Sequence, residues 1–422
     1  MYYLILYQRV LYWKVQLDSG LIRLVNPFKY GKIVSGDDFA DREKETKQLF
    51  GDLESGQNIL LYSPRRYGKT SLIFRTLDLL KKDGVMTSYI DVYGCLTASD
   101  LMDKIIQETI VPAQGTLQRI GDFLREQISD LRPEVSLNTD GSVSVSFKKE
   151  VQAQGAEKVL PKILDAPERL AETKKKRLVI AFDEFQEITG MDGLGLEKSM
   201  RSSFQRHKNV TYLFAGSKQH VMEEIFGQER RPFYKFAKPF PLEKILIKQF
   251  ATFVASKFKE TGISISPAIV DSVLHFTQGH PYLTQQLCHE LWNISNEQKE
   301  AKEEDISTAL NTILSQHGDY FSKIWDSLAS SQKKLMTAIA EETQVRNIYS
   351  THFITKHALI SASHVKKALH YLQKEALVEH SDGVHYIEDI FFREWIRVNL
   401  CSCATDLSSS FTVRKSSSEG LS

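Results

Sequence analysis

The chain has 422 residues, enough for two or three domains, with 42% hydrophobic and 10% aromatic residues to fill their cores. A formal net charge of +1 supplies no global field for nucleic acid or an anionic membrane. Four cysteines (Cys95, Cys288, Cys401, Cys403) are too few and too scattered for a disulfide framework, and read as free thiols suited to a reducing cytoplasm.

Residues 1–25 are strand-like and unplaced: a small ribbon or an upstream extension. Gln8 and Arg9 interrupt the first apolar run and no small-residue cleavage site follows, so it does not read as a targeting segment. No stretch approaches the ~20 apolar residues of a membrane span. Asn26, Pro27 and Phe28 begin a turn-rich stretch, and a helix with an acidic first turn follows near Glu43. The apolar run 59–62 predicts a buried strand. The polar loop Ser63, Pro64, Arg65, Arg66, Tyr67, Gly68 comes next, and Lys69, Thr70 and Ser71 open a segment with Leu72, Ile73, Leu77 and Leu80 at helical spacing. Strand, phosphate-sized loop, Lys-Thr and helix is the order of a P-loop. Its backbone N–H groups point at a polyphosphate, Lys69 reaches the β- and γ-phosphates, and the Thr70 hydroxyl ligates Mg²⁺. The pattern departs from GxxxxGK[ST] at its first position, Ser63, where a turn with negative φ accepts serine.

A strand is expected over 85–92, then helices over 99–110, with a good cap at its start, and 117–131. Residues 134–147 alternate apolar and polar around Asp140-Gly141, a hairpin signal, expected as an insertion on the edge of the main sheet. A helix over 153–173 ends in a basic run that caps it. Leu178 to Phe182 is apolar throughout, as in a parallel sheet, and Asp183 and Glu184 stand at its carboxyl end, where open α/β sheets bind ligands. An ordinary strand followed by a helix cap has the same appearance. After a P-loop and one intervening strand, it reads as Walker B: Asp183 holds Mg²⁺ through water and Glu184 polarises the attacking water. Another buried strand, 209–217, ends at Ser217, which is either a plain turn serine or a hydroxyl that senses the γ-phosphate. A helix over 220–226, a basic loop with Arg230 and Arg231, and a strand over 236–242 complete the alternation. The fold class is α/β, a P-loop parallel sheet with helices on both faces.

From residue 244 the pattern turns helical. The expected organisation is an unplaced extension 1–25, a P-loop core 26–243 with the hairpin near 134–147, a helical lid 244–325, and a winged helix 326–398 made of three helices and a hairpin around Asp382-Gly383. The serine-rich tail 399–422 is expected to be disordered.

Taken together, the chain resembles the archaeal-type ATPase family, within the AAA+/STAND group of P-loop NTPases, over about 26–397. The carriers are Asn26-Pro-Phe28, Phe39-x-Asp-Arg-Glu43, Pro64-Arg-Arg-x-Gly-Lys-Thr-Ser-Leu72, the Asp183-Glu184 strand, Phe214-Ala-Gly-Ser217, Gly279-His-Pro281 and Asp389-Ile-Phe-Phe-Arg-Glu-Trp395. The resemblance implies an ATPase using ATP and Mg²⁺, with Pro281 near the adenine and Asn26, Pro27 and Phe28 closing the nucleotide's other side. Gly279-His-Pro281 also reads as an ordinary helix–helix turn. It further implies a homo-oligomer in which a neighbouring subunit offers an arginine to the γ-phosphate. The corresponding place holds Arg230 and Arg231, whose ordinary alternative is a solvated charge or an ion pair with Glu223 or Glu224.

The function expected is an ATP-driven switch acting on a protein partner. One alternative is a nucleotide-dependent DNA-binding protein resembling origin-recognition ATPases, using helix 363–374 with Lys366, Lys367 and Lys374. The other is a scaffold that binds ATP with little turnover. Nearly balanced charge over 330–398 favours protein contact over DNA.

Overall fold

The structure, a computed structural model, describes residues 15–18, 21–33, 42–127, 133–191, 194–381 and 383–401. The motif residues Phe39 and Asp41, the hairpin residue Asp382 and the tail beyond Cys401 lie outside the described residues. The chain divides into two units, Ile33–Lys244 and Met1–Lys32 with Ile245–Ser422.

The first unit is built on five parallel strands: β1 (Ile59–Tyr62), β2 (Met86–Asp91), β3 (Leu178–Asp183), β4 (Val210–Gly216) and β5 (Lys238–Pro241). They lie in the order β2-β3-β4-β1-β5. β3 and β4 are buried at every position, which accounts for their apolar sequences, since helices cover both faces. Helix α1 (Glu43–Glu54) precedes β1 and α2 (Lys69–Lys82) follows it. The strand period of two sorts side chains between two cores. Ile59, Leu61, Val179, Ala181, Leu213 and Ala215 pack with Leu49 and Leu53 of α1 and Leu72, Ile73, Leu77 and Leu80 of α2. Leu60, Phe182, Tyr212 and Phe214 join the opposite core with Phe185, Phe226 and Phe233.

Three expectations are corrected here. The helix Ala98–Gln114 is capped by Thr97 rather than Ser99: Thr97 accepts from the Asp100 N–H, and the Asp100 carboxylate accepts from the Thr97 N–H. The helix expected over 153–173 is two, Lys148–Gln154 and Ala156–Lys174, parted at Gly155. The hairpin Glu134–Leu137/Val143–Ser146 forms, but as a separate two-stranded sheet and not on the edge of the main one. Asp103 draws it onto helix Ala98–Gln114 by accepting from the Phe147 N–H at 2.7 Å and the Ser146 hydroxyl at 3.0 Å.

In the second unit Val15–Asp18 and Leu21–Leu24 pair as an antiparallel ribbon. Helices Ile247–Glu260, Pro267–Thr277, Pro281–Ser295, Glu303–Gln316 and Gly318–Ser327 follow. The winged helix has helices Ser330–Glu342, Thr351–Lys356 and Ala362–Lys374, and the hairpin Val378–Ser381/Val384–Ile387. A further helix, Ile390–Leu400, has Asp389 as its N-cap, accepting from the N–H groups of Phe391 and Phe392, whose rings are buried. Residues 26–28, which the sequence reading grouped with the ATPase core, pack on helices of this second unit. Asn26 Nδ2 donates to the His289 carbonyl at 3.0 Å and to Asn293 Oδ1 at 2.9 Å.

Candidate active site at the carboxyl end of the sheet

The loop between β1 and α2 closes around an ammonium group. Lys69 Nζ donates to the carbonyls of Ser63 at 3.1 Å and Pro64 at 3.2 Å. Ser63 is buried and keeps a negative φ, the condition under which serine serves in place of glycine. Gly68 caps α2 at φ 88°, a left-handed conformation that glycine adopts without steric cost, and it makes no side-chain cap to the helix N–H groups. Tyr67 is buried, and its carbonyl accepts from Arg42 Nη2 at 3.2 Å, while Arg42 Nη1 donates to Glu45 at 2.9 Å. Arg42 thus ties α1 to the loop, a role that only its place in the Phe39–Glu43 motif could have signalled. Arg65 and Arg66 are exposed, Thr70 is half-buried and Ser71 is buried.

The β1–α2 loop meets the end of β3 through Thr70. Its hydroxyl donates to Asp183 Oδ2 at 2.7 Å. The Tyr89 hydroxyl, from β2, donates to the same oxygen at 3.0 Å, and the Glu184 N–H donates to Oδ1 at 2.9 Å. Burial pushes the Asp183 carboxyl above the usual range; donation from Thr70 and Tyr89 pulls it back, and the neighbouring Glu184 raises it. Tyr89 was missed by the sequence reading because it sits inside an ordinary strand pattern, with no motif around it.

Glu184 leaves β3 at φ 50°, a left-handed conformation unusual for a residue with a side chain. Its Oε2 accepts from the Ser217 hydroxyl at 2.6 Å and from Gln186. Ser217 therefore faces the second acid of the motif. Met222 and Gln186 pack directly onto Gly216, where a Cβ would stand 2.5 Å from Met222 Sδ and 2.6 Å from Gln186 Oε1.

Arg230 and Arg231 part ways. Arg231 is mostly buried, paired with Glu197 at 2.5 Å and with Glu224 at 3.1 Å. The ordinary ion-pair alternative thus describes Arg231, with Glu197 as a partner that sequence reading did not offer. Arg230 is exposed and, among the described residues, donates to Gln228 at 3.3 Å.

The remaining expected residues lie in the other unit. Pro281 is the first residue of helix Pro281–Ser295, after the capping residue His280. Gly279 turns at φ 68°, and a Cβ there would stand 2.8 Å from the Ile245 carbonyl oxygen. Pro27 is half-buried. Phe28 is 1% exposed, its ring 4.9 Å from that of Phe258. The Phe28 ring is part of the core of its own unit.

Thr70 and Asp183 offer oxygen donors, the hard ligands that suit Mg²⁺. Among the described residues no group of three or more His, Cys, Asp or Glu could hold a metal. One or two protein oxygens completed by phosphates and water is the usual way Mg²⁺ is held beside a nucleotide. A cleft of about 500 Å³ between α1 and α2, lined by Thr46, Phe50, Arg75 and Leu79 among others, includes none of these residues.

Residues 39–287 match a family described as an ATPase domain predominantly from Archaea, and residues 319–398 match a probable winged helix domain. No curated protein matches the chain. Among solved structures it is similar to a Walker-type ATPase of Pyrococcus abyssi, at 16% identity over 88% of this chain and 99% of that one, with a TM-score of 0.60. It is also similar to the ORC2 protein of Aeropyrum pernix, solved as ADPNP-ADP complexes, at 12% identity over 89% and 98% of the two chains, with a TM-score of 0.52. At these identities the likeness is one of fold.

Proposed function

The chain belongs to the family of ATPase domains found predominantly in Archaea, and from that premise we propose that it is a Mg²⁺-dependent ATPase whose nucleotide state switches its contact with a protein partner. One observation carries the reading: the Thr70–Asp183 hydrogen bond joins the helix behind the loop to the end of β3, with Glu184 held by Ser217 one residue on. ATP phosphates lie over the N–H groups of Ser63–Thr70, and Lys69 exchanges the Ser63 and Pro64 carbonyls for phosphate oxygens. Thr70 and Asp183 would hold Mg²⁺, which would supply positive charge beside the phosphates. Glu184 orients and deprotonates the attacking water, and the Ser217 hydroxyl sets the direction of its carboxylate. Arg230 is the arginine available to a neighbouring copy.

The partner class rests on the balanced charge of the winged helix. The free thiols of Cys95 and Cys288 suit a cytoplasmic setting, and among the described residues no helix is long and apolar enough to cross a membrane. The test is to measure Mg-ATP hydrolysis and compare amide exchange with ATP and with ADP bound. Turnover with a state-dependent exchange pattern supports a switch; turnover with identical patterns refutes it.

DNA binding has one specific observation in its favour. Lys366, His370 and Lys374 are exposed at four-residue spacing along helix Ala362–Lys374, with Lys367 beside them. Duplex affinity falling steeply with salt would establish this reading over protein contact.

A further inference from the structure

We propose that Tyr89 is a positioning residue for the cation site: its hydroxyl fixes the Asp183 carboxylate in the orientation that a nucleotide-bound Mg²⁺ requires. This rests on the reading of Thr70 and Asp183 as the residues that hold the ion.

Tyr89 is in register with Ala181 across the parallel β2–β3 pair. Side chains alternate along β3, so Ala181 and Asp183 share a face. The small alanine leaves room for the tyrosine to reach along the strand to Asp183 Oδ2, at 3.0 Å. Its ring is fixed from the other side by Phe74, with centroids 4.5 Å apart. Phe74 comes one turn after Thr70 on α2, so both lie on one helix face. That face therefore meets β2 and β3 twice, Phe74 on the tyrosine ring and Thr70 on the carboxylate.

Thr70 has two tasks at one oxygen atom. It donates to Asp183, and it must offer a lone pair to the cation. Tyr89 has one. Its hydroxyl donates to Oδ2 and has no cation to serve. The tyrosine thus holds Oδ2 whether or not Thr70 is engaged elsewhere, and the Glu184 N–H fixes Oδ1. Partners that orient a ligand without touching the metal matter: losing one typically costs about 10–100-fold in metal affinity.

The test is Tyr89→Phe, which keeps the ring against Phe74 and removes only the donor. Binding of a fluorescent ADP analogue is measured in full-length protein, first in excess EDTA and then across a Mg²⁺ titration. The expected result is unchanged metal-free binding, with the Mg²⁺ concentration for half-maximal enhancement raised about 10–100-fold. Superimposable titrations overturn the role of Tyr89 and leave the nucleotide site standing. A loss of metal-free binding in the variant makes the hydroxyl a structural group and also overturns it. No binding or no Mg²⁺ enhancement in the parent overturns the site reading beneath it.

Discussion

The Ser217 hydroxyl donates to Glu184 Oε2 across 2.6 Å, tying the end of β4 to the residue that follows the end of β3. These strands are neighbours in the sheet, so a hydroxyl on one is within reach of an acid on the next. Glu184→Gln keeps size and polarity but removes the base. ATP affinity should persist while turnover falls by ~10²–10⁴. Ser217→Ala should lower turnover in the same direction by less, with affinity unchanged. Equal turnover in parent and Glu184→Gln, measured by phosphate release, would remove Glu184 from the mechanism.

Lys69→Ala should abolish tight ATP binding in calorimetry. The ammonium is buried and holds two loop carbonyls, so the variant also loses an internal brace of the loop. Lys69→Arg puts a larger, planar cation into a loop closed around an ammonium, and should not restore parental affinity. Parental affinity in Lys69→Ala would show that the loop does not bind phosphate.

The two arginines after helix Gln219–Gly227 should separate cleanly. Arg231→Ala leaves Glu197, 1% exposed, as a buried charge without its cation, at a cost of about 3–5 kcal/mol of stability. Arg230→Ala should leave the melting temperature unchanged. If Arg230 serves a neighbouring copy, activity per chain rises with protein concentration in the parent. Arg230→Ala is then inactive alone but regains activity when mixed with Lys69→Ala subunits, whose arginines are intact. An arginine finger is worth ~10³–10⁵ in turnover, so concentration-independent activity that is unchanged in Arg230→Ala refutes the role.

The winged helix should weaken in mild acid. His385 is buried beside His380, ring centroids 4.3 Å apart; burial, and then the charge of His380, hold its pKa below the usual histidine value. The unfolded chain takes up this proton as pH falls through about 6.5, while the folded chain resists it. Stability contributed above that pH is lost as pH falls toward the folded pKa, at most about 1.4 kcal/mol for each unit of depression. Urea unfolding at pH 7.5 and 5.5 should show a larger drop for the parent than for His385→Leu. Equal drops would mean that His385 is not the group responsible.

The strands β1, β3 and β4 were legible because burial between two layers of helices demands apolar runs, and the loop because Gly68-Lys69-Thr70 stands between such a run and a helical pattern. Partnerships across the sheet were not. Tyr89 and Asp183 are 94 positions apart, and nothing local to either names the other. Glu197 and Arg231 are likewise 34 apart, so Glu224, seven positions away, was the visible partner. Thr97 outcompeted Ser99 as a cap because Asp100, three residues on, completes a reciprocal pair of hydrogen bonds. The resemblance placed Phe28 beside the nucleotide, and nothing local to it announced that helices of its own unit bury the ring.

The strand order has a consequence for synthesis on the ribosome. β1 carries the phosphate loop, yet both its neighbours, β4 and β5, come far later in the chain; Asn58 accepts from the Tyr212 N–H 154 positions downstream. A nascent chain that has made the loop therefore holds β1 with two unpaired edges through most of the unit's translation. Such edges are templates for wrong pairing. Nucleotide cannot rescue this interval, because the strands that hold β1 and its loop in place are missing until then. Ligand stabilisation should act on the finished unit alone, and a chain cut before β4 should be a client for chaperones whatever the ATP concentration.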